Sequence, residues 1–316
     1  MQAKLVTLVI MSFTTVSEFY KKLFGSKVYK LSLDAGCTCP VRDGLLDTRG
    51  CIFCSQNGSG DFVPSRALTI PEQIEQAKKL VESKMNKSNN KAPSQNAQLQ
   101  SSAHKYIAYF QNFTNTYGNL EQLRKKWEQA VNYPGIVGLA LGTRPDCLSA
   151  ECLEVLAELA EKTFVQVELG FQTSNEKTAL YIRRHFENEV YSSAVKALHK
   201  ANPKIHVVTH IIFGLPGETE QDMMNTVHFA VDSGTDGIKI MNLYVLEKTD
   251  LAEDYKNGLF KALEFEEYLE LLRKALSIIP ENIIIHRLTG DPPKSQLIAP
   301  EWVKNKKKVL NALKKL

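Results

Sequence analysis

An α/β fold, a partial (β/α)6 barrel curled from one parallel sheet, is what this sequence predicts, and three observations predict it. Short apolar runs alternate with stretches of helical periodicity from about residue 105 to residue 290. The runs are apolar almost without interruption, as strands covered by helices on both sides must be. A cysteine-rich loop follows directly on an earlier strand, in the place where right-handed β/α crossovers gather functional loops. Composition agrees, since 43% hydrophobic and 23% charged residues in 316 suffice for a large core and exclude wholesale disorder. No heptad is sustained, and 17 Gly with 12 Pro are ordinary numbers, so collagen-like and coiled-coil readings fall away.

In chain order, Met1 to Phe13 fits no later pattern, and Met11 offers a second start. The apolar run Leu5 to Met11 is too short to span a bilayer and lacks a cleavage site, so a cytoplasmic protein is expected, with six cysteines as thiols or metal ligands. Lys27 to Leu33 alternates as a strand does and feeds the cysteine loop. Ile70 to Met85 has helical spacing, opened by Thr69 and Pro71. The Ser/Asn/Gln/Lys-rich stretch 86–104 reads as a surface insertion. Further strands are expected at Tyr106–Phe110, Ile136–Leu141, Phe164–Leu169, His206–Phe213 and Gly237–Leu243, with a shorter Ile283–His286. Helices are expected between them at Leu120–Val131, Ala150–Glu161, Glu176–His185, Val190–Ala201 and Thr219–Ser233, then at Phe265–Ile279. The domain reading is an N-terminal extension over 1–23, a core over 24–290 and a basic C-terminal extension over 291–316. Six lysines and one glutamate lie in that last stretch from Glu301 on, which leaves the first 300 residues near neutrality. Such a tail is either a solvated helix or a phosphate-contacting arm.

The chemistry lies in Cys39-x11-Cys51-x2-Cys54, with Cys37 two residues upstream. A close pair chelates and a long loop returns the third thiolate, so three can converge on one centre. Three thiolates suit an iron–sulfur cube with one open iron, to which a small molecule can bind. The alternatives are structural zinc with Cys37 as fourth ligand, or unligated structural cysteines.

With these cysteines and with Asp34–Gly44, Ala108–Phe113, Gly142–Cys147, Glu168–Thr173, Gly214–Glu218 and Asp236–Lys239, the sequence resembles the radical SAM superfamily, in its YhcC/YtqA-like branch. That branch is related to the elongator catalytic subunit and to oxygen-independent coproporphyrinogen oxidase. Six motifs in order, over roughly Phe24 to Trp302, carry the resemblance. It implies a TIM-like barrel of the radical SAM type with a [4Fe–4S] cluster on Cys39, Cys51 and Cys54. S-adenosylmethionine would bind the open iron and be cleaved to a 5′-deoxyadenosyl radical. Phe53 would lie along the adenine, Gln111 and Asn112 would meet the amino group, Gln172 the ribose and Arg184 the carboxylate, with Arg183 as neighbour. Gln111 and Asn112 have an ordinary loop reading beside that role, and Arg183 and Arg184 a solvated helix-face one. The Gly214-Leu-Pro-Gly217 turn would let the backbone approach the adenine. Cys37 stands where the branch carries an aromatic residue.

Glu168 ends an apolar strand and is read as a ligand neighbour or a structural ion pair. His210 points to the bound cofactor or is a core histidine. Arg144 with Asp146 is a substrate rim or a salt bridge, and His286 with Arg287 closes the barrel edge or meets substrate. Cys147 and Cys152 fit a helix start better than a second cluster. The resulting expectation is a radical SAM enzyme acting on a tRNA wobble uridine side chain, with a donor such as flavodoxin or ferredoxin. The alternatives are a radical SAM enzyme for a small carboxylated metabolite, and a zinc-stabilised RNA-binding protein.

Overall fold

The structure, a computed structural model, describes residues 13–56, 58, 63–88 and 104–316. Seven parallel strands form one sheet in chain order: β1 (Val28–Leu33), β2 (Lys105–Phe110), β3 (Ile136–Thr143), β4 (Phe164–Gln172), β5 (His206–Phe213), β6 (Gly237–Asn242) and, out of sequence, β8 (Ile284–Arg287). Each strand pairs with its successor, so the sheet never reverses and curls into an open half-barrel. The short strand expected near the end is thus a full seventh member of the sheet.

The crossover helices are α2 (Ile70–Ser88), α3 (Leu120–Val131), α4 (Ala150–Lys162), α5 (Glu176–Tyr181), α6 (Asn188–Ala201), α7 (Glu220–Asp232) and α9 (Phe265–Ile278). Side-chain oxygens of Asn119, Ser149, Asn175 and Thr219 cap α3, α4, α5 and α7, which satisfies amide donors a helix start leaves unpaired. Leu31, Leu33, Phe110, Leu139, Leu141, Val167 and Leu169 face these helices in the main core. The alternate residues Lys30, Tyr109, Gln166, Glu168, His210 and Lys239 meet one another on the concave face. Of the stretch 86–104, residues 86–88 complete α2; 89–103 lie outside the described residues, as do residues 1–12.

The stretch assigned to an N-terminal extension contains α1 (Val16–Phe24), opened by a Thr15–Glu18 capping box and closed by Gly25. It plugs the N-terminal end of the barrel. Thr14 O accepts from Ile285 N at 2.9 Å, Tyr20 Oη donates to Gln166 Oε1 at 2.7 Å, and Phe19 stacks on His206 with centroids 4.8 Å apart. Beneath the helix His206 Nε2 and His286 Nε2 are 2.9 Å apart. Burial pushes His206 down to about 4 and His286 well below its usual range, so both are neutral at pH 7. The unfolded chain therefore takes up protons near pH 6.5 that the folded one refuses, and the histidine contribution to stability is lost as pH falls from about 6.5 toward 4. Thermal melts should show a loss of about 2 kcal/mol from His206 alone between pH 7.5 and 5.0. The loss should be smaller in His206→Gln; equal losses in both proteins would refute the assignment.

After β6 the chain forms β7 (Val245–Leu246) and α8 (Asp250–Lys256), and after β8 it returns as β9 (Leu297–Ala299), antiparallel to β7. The last helix, α10 (Lys306–Leu313), is docked rather than free: Val309 packs with Phe265 and Leu269, while the preceding Trp302 stacks on Tyr268 and donates Nε1 to Leu263 O at 2.9 Å. Among the described residues no helix is long and apolar enough to cross a membrane.

Candidate active site

The cysteine loop lies at the C-terminal end of β1, where the parallel strands aim the positive ends of their crossovers. It is held by backbone contacts that little of the motif announces. Arg42 N and Asp43 N donate to Cys39 O at 2.8 and 3.2 Å, and Cys54 N donates to Cys51 O at 3.0 Å. Arg42 Nη2 closes the far end on Cys54 O at 3.1 Å and Ser55 O at 2.7 Å. From across the barrel, Ile182 O accepts from Ile52 N at 3.4 Å, Arg183 O from Cys51 Sγ at 3.8 Å, and Arg183 Nη1 donates to Gly50 O at 3.1 Å.

This clamp explains why the helix expected over Glu176–His185 stops at Tyr181. Arg183 and His185 adopt left-handed backbone, with φ of 58° and 61°, and the turn frees carbonyls that a continuing helix would consume. Thr114 Oγ1 donates to Cys39 Sγ at 3.3 Å from the segment after β2. That segment is anchored by Asn115, fully buried, whose Nδ2 lies 3.0, 3.0 and 2.8 Å from Phe110 O, Asn112 O and Gly142 O.

Of the three cysteines proposed from the spacing, Cys54 and Cys39 both act electrostatically on Cys51. Burial, then the nearness of Cys54 and Cys39, pushes the Cys51 thiol up to about 12, with Arg144 and Arg42 opposing. A thiolate there is costly unless a positively charged centre takes it. Cys37 instead lies in the hydrophobic core with Ala35, Ile70 and Ile74, 6% exposed, and burial raises it to about 12. Among the described residues no group of three His, Cys, Asp or Glu side chains is placed to hold a single metal ion. Cys152 is buried at the start of α4, as expected; Cys147 is half-buried, and burial, then the neighbouring Asp146, pushes its thiol up to about 12.

The residues assigned by resemblance divide by what the fold does with them. Asn112 is 4% exposed; its Nδ2 donates to Asp34 Oδ2 at 2.9 Å and its Oδ1 is buried without a partner, an acceptor beside the cysteine loop that fits an ammonium donor. Gln111 Oε1 accepts from Ser32 Oγ at 3.3 Å. Gln172 ends β4 with φ of 66°, and its amide folds back over Gly170, where an added Cβ would lie 2.7 Å from Nε2 and push the amide aside. Phe53 packs beside Ile182, Ile212, Leu215 and Leu243.

Arg184 departs from its expected place at a ligand carboxylate. It is 1% exposed, stacked over Phe186 at 4.5 Å, and donates to Phe186 O, Thr173 O and Glu176 Oε2 at 2.9, 2.5 and 3.1 Å, so it pins the end of β4 to α5. Arg144 likewise resolves as a salt bridge, with Nε and Nη2 on the two oxygens of Asp146 at 2.9 and 2.7 Å. The space beside Gly214, φ 86°, is taken by Leu263, whose side chain would lie 2.8 Å from an added Cβ.

Glu168 is neither alone nor at the rim. Inside the barrel its two oxygens accept from Lys30 Nζ at 2.7 Å, Gln166 Nε2 at 2.5 Å, Tyr109 Oη at 2.5 Å, His210 Nε2 at 2.9 Å and Lys239 Nζ. Burial opposes its charge, yet Lys239 and Lys30 hold the carboxyl well below the usual range. Burial pulls Lys239 down to about 7 and His210 to about 4. Lys30, Tyr109 and Lys239 were not among the residues expected; a lysine inside a strand covered on both faces was their available signal. His210 belongs to this cluster, and Arg287 lies beside it, paired in register with Lys239.

Comparison with known proteins matches the chain to two family models, "Radical SAM superfamily" over residues 95–230 and "Radical_SAM C-terminal domain" over residues 235–316. YtqA of Bacillus subtilis strain 168 is 40% identical over 95% of this chain and 88% of its own length. The tRNA uridine(34) acetyltransferase of Methanocaldococcus infernus is 28% identical over 57% of this chain, which is 33% of that protein. Among solved structures, the archaeal Methanocaldococcus infernus Elp3 with an N-terminal deletion superposes with a TM-score of 0.53 at 23% identity, covering 68% of this chain and 56% of that one, a likeness of fold.

Proposed function

The chain belongs to the radical SAM superfamily, and from that premise we propose that it holds a [4Fe–4S] cluster on Cys39, Cys51 and Cys54 and uses S-adenosylmethionine to modify a tRNA uridine side chain. It is an enzyme of that family. When bound, the cluster and S-adenosylmethionine supply one-electron cleavage of the sulfonium and a carbon radical that abstracts hydrogen. The observation that carries the cofactor reading is the segregation of thiols: three around one clamped loop, with Cys37 turned into the core. Three thiolates leave one iron for a ligand; a fourth would close it.

The protein's own residues then bind and orient. Arg42 and Arg183 keep the loop in shape, and the unpartnered Asn112 Oδ1 would accept from the ammonium of the methionine moiety. Gln172, folded over Gly170 at the end of β4, would bond the ribose. Phe53 and its aliphatic neighbours would hold the adenine and exclude water beside it. A flavodoxin- or ferredoxin-type donor supplies the electron.

Support for an RNA substrate comes from the similarity to the tRNA uridine(34) acetyltransferase and from the basic final helix. Mass spectrometry of tRNA nucleosides from cells with and without the gene tests it, and an unchanged nucleoside profile would remove it. In vitro, anaerobically reduced wild-type protein should release 5′-deoxyadenosine slowly even without substrate; S-adenosylhomocysteine as sole product would point to ordinary methyl transfer.

The fold narrows which lysines can reach RNA. Lys304 pairs with Glu301 at 2.8 Å, Lys306 with Asp291 at 2.5 Å, and Lys308 lies 4.8 Å over the Phe265 ring. Lys307, Lys314 and Lys315 are exposed. Because Val309 is part of a packed interface, point substitutions serve better than truncation. Replacing those three by Gln should lower the log–log salt slope of tRNA binding by about 0.7–0.9 for each phosphate that is no longer neutralised. An unchanged slope leaves the helix as a solvated structural element.

A further inference from the structure

The long arm of the cysteine motif is the part that needs holding. Cys51 and Cys54 are kept together locally, by the bond from Cys54 N to Cys51 O, whereas eleven residues separate Cys39 from that pair. Closing such a loop costs chain entropy, so the distance between its ends is fixed only where other groups fix it. Arg42 does so from inside the loop, through Cys54 O and Ser55 O. A second fastening comes from outside, with one residue at its centre.

Phe113 has a φ of 55°, in the left-handed region that a bulky side chain rarely enters. Such a conformation is costly and persists only where the surroundings impose it. Here its two neighbours face different partners. Asn112 Nδ2 donates to Asp34 Oδ2 at 2.9 Å, while Thr114 donates its backbone N to Thr38 O at 3.2 Å and its Oγ1 to Cys39 Sγ at 3.3 Å. The Phe113 ring turns to the other end of the motif. There Gly58 N donates to Ser55 O at 3.0 Å and Ser55 Oγ to Gly58 O at 2.7 Å, which closes a turn directly after Cys54. The ring covers Gly58 so closely that a Cβ added there would lie 3.1 Å from Cδ1. Arg42 and Arg66 lie over the same ring, their guanidinium carbons 5.8 and 5.9 Å from its centre, and Arg66 Nη2 is 3.5 Å from the Asp34 oxygen that Asn112 bonds. Three consecutive residues after β2 thus grip the Cys39 end through Thr114 and the Cys54 end through Phe113.

We propose that Phe113 is a positioning residue that sets the distance between Cys39 and the Cys51–Cys54 pair, by clamping its ring on the Ser55–Gly58 turn and on Arg42. The role rests on reading those cysteines as the cluster ligands. Phe113 touches none of the reacting atoms; it acts through the backbone that carries Cys54 and through Arg42, which bonds that backbone.

The test uses the full-length chain, reconstituted anaerobically with iron and sulfide, and follows iron loss to a chelator beside thermal melts of the metal-free protein. Phe113→Ala is expected to lose iron about ten-fold faster than wild type, as when a group that orients metal ligands without touching the metal is removed. Phe113→Tyr, which keeps the ring, should retain iron as wild type does. Phe113→Gly separates ring from backbone: it releases the left-handed strain, yet should lose iron as fast as Phe113→Ala. Gly58→Ala pushes on the ring from the other side, so it should speed iron loss more in the wild-type background than in Phe113→Ala, where the ring is already gone. Retention by Phe113→Ala at the wild-type rate, recovery in Phe113→Gly, or equal effects of Gly58→Ala in both backgrounds overturns the proposal. Iron loss that only follows the melting temperatures of the metal-free proteins does so too. Wild-type iron uptake that survives alanine at Cys39, Cys51 and Cys54 sinks the cluster reading instead, and the positioning role with it.

Discussion

Alanine at Cys39, Cys51 or Cys54 is expected to abolish the broad cluster absorbance near about 400 nm and all release of 5′-deoxyadenosine, while Cys37→Ala keeps both. The asymmetry follows from position. Cys51 stands within the electrostatic reach of Cys54 and Cys39, whereas the charged groups that act on Cys37 are Lys126, Asp34 and Arg66, on the far side of the strand end. Cys37 fills a core site beside Ile70 and Ile74, so its truncation removes one buried sulfur and costs about 1 kcal/mol of stability at most positions of this kind. Anaerobic reconstitution followed by absorbance and iron quantitation decides the matter. Loss of metal from Cys37→Ala as complete as from Cys51→Ala would mean a four-thiolate site and no open iron.

Glu168→Ala should cost about 3–5 kcal/mol at neutral pH, the range seen when one partner of a buried ion pair is removed. Two lysines would then share a barrel interior with no carboxylate, and Tyr109 and His210 would lose their acceptor. The sign with pH is informative. The variant can relieve its excess charge by deprotonating Lys239, already pulled down to about 7, so its deficit relative to wild type should shrink as pH rises to about 9. In wild type the carboxyl is held below its unfolded value, so its contribution is present above about pH 4.5 and is lost as pH falls through the folded value. Urea unfolding at pH 6.5 and 9 for both proteins measures this. A deficit under about 1 kcal/mol, or one that grows with pH, would show that the cluster does not depend on its carboxylate.

The barrel was legible because a parallel strand buried on both faces writes itself as an apolar run, and β2 to β6 lie where such runs lie. The first helix was missed although Thr15 and Glu18 spell a capping box, because α1 is short and its apolar face is completed only by His206, Phe164 and Tyr109 from distant strands. The early end of α5 had no local signal at all. Ile182 to His185 read as helix, and the pull that unwinds them comes from Gly50, Cys51 and Ile52, more than a hundred residues away.

The same division runs through the site. By itself the sequence determined that three cysteines share one loop after a first strand, that helices and strands alternate behind it, and that the motifs are those of the radical SAM superfamily, since each is a matter of spacing along one chain. Only the tertiary structure decided that Cys37 faces the core, that Arg184 and Arg144 are consumed as braces, and that Lys30, Tyr109, Glu168, His210 and Lys239 from five strands make one charged floor. Which partner a buried charge finds depends on strand register and sheet curl, and these are set by packing across the whole barrel.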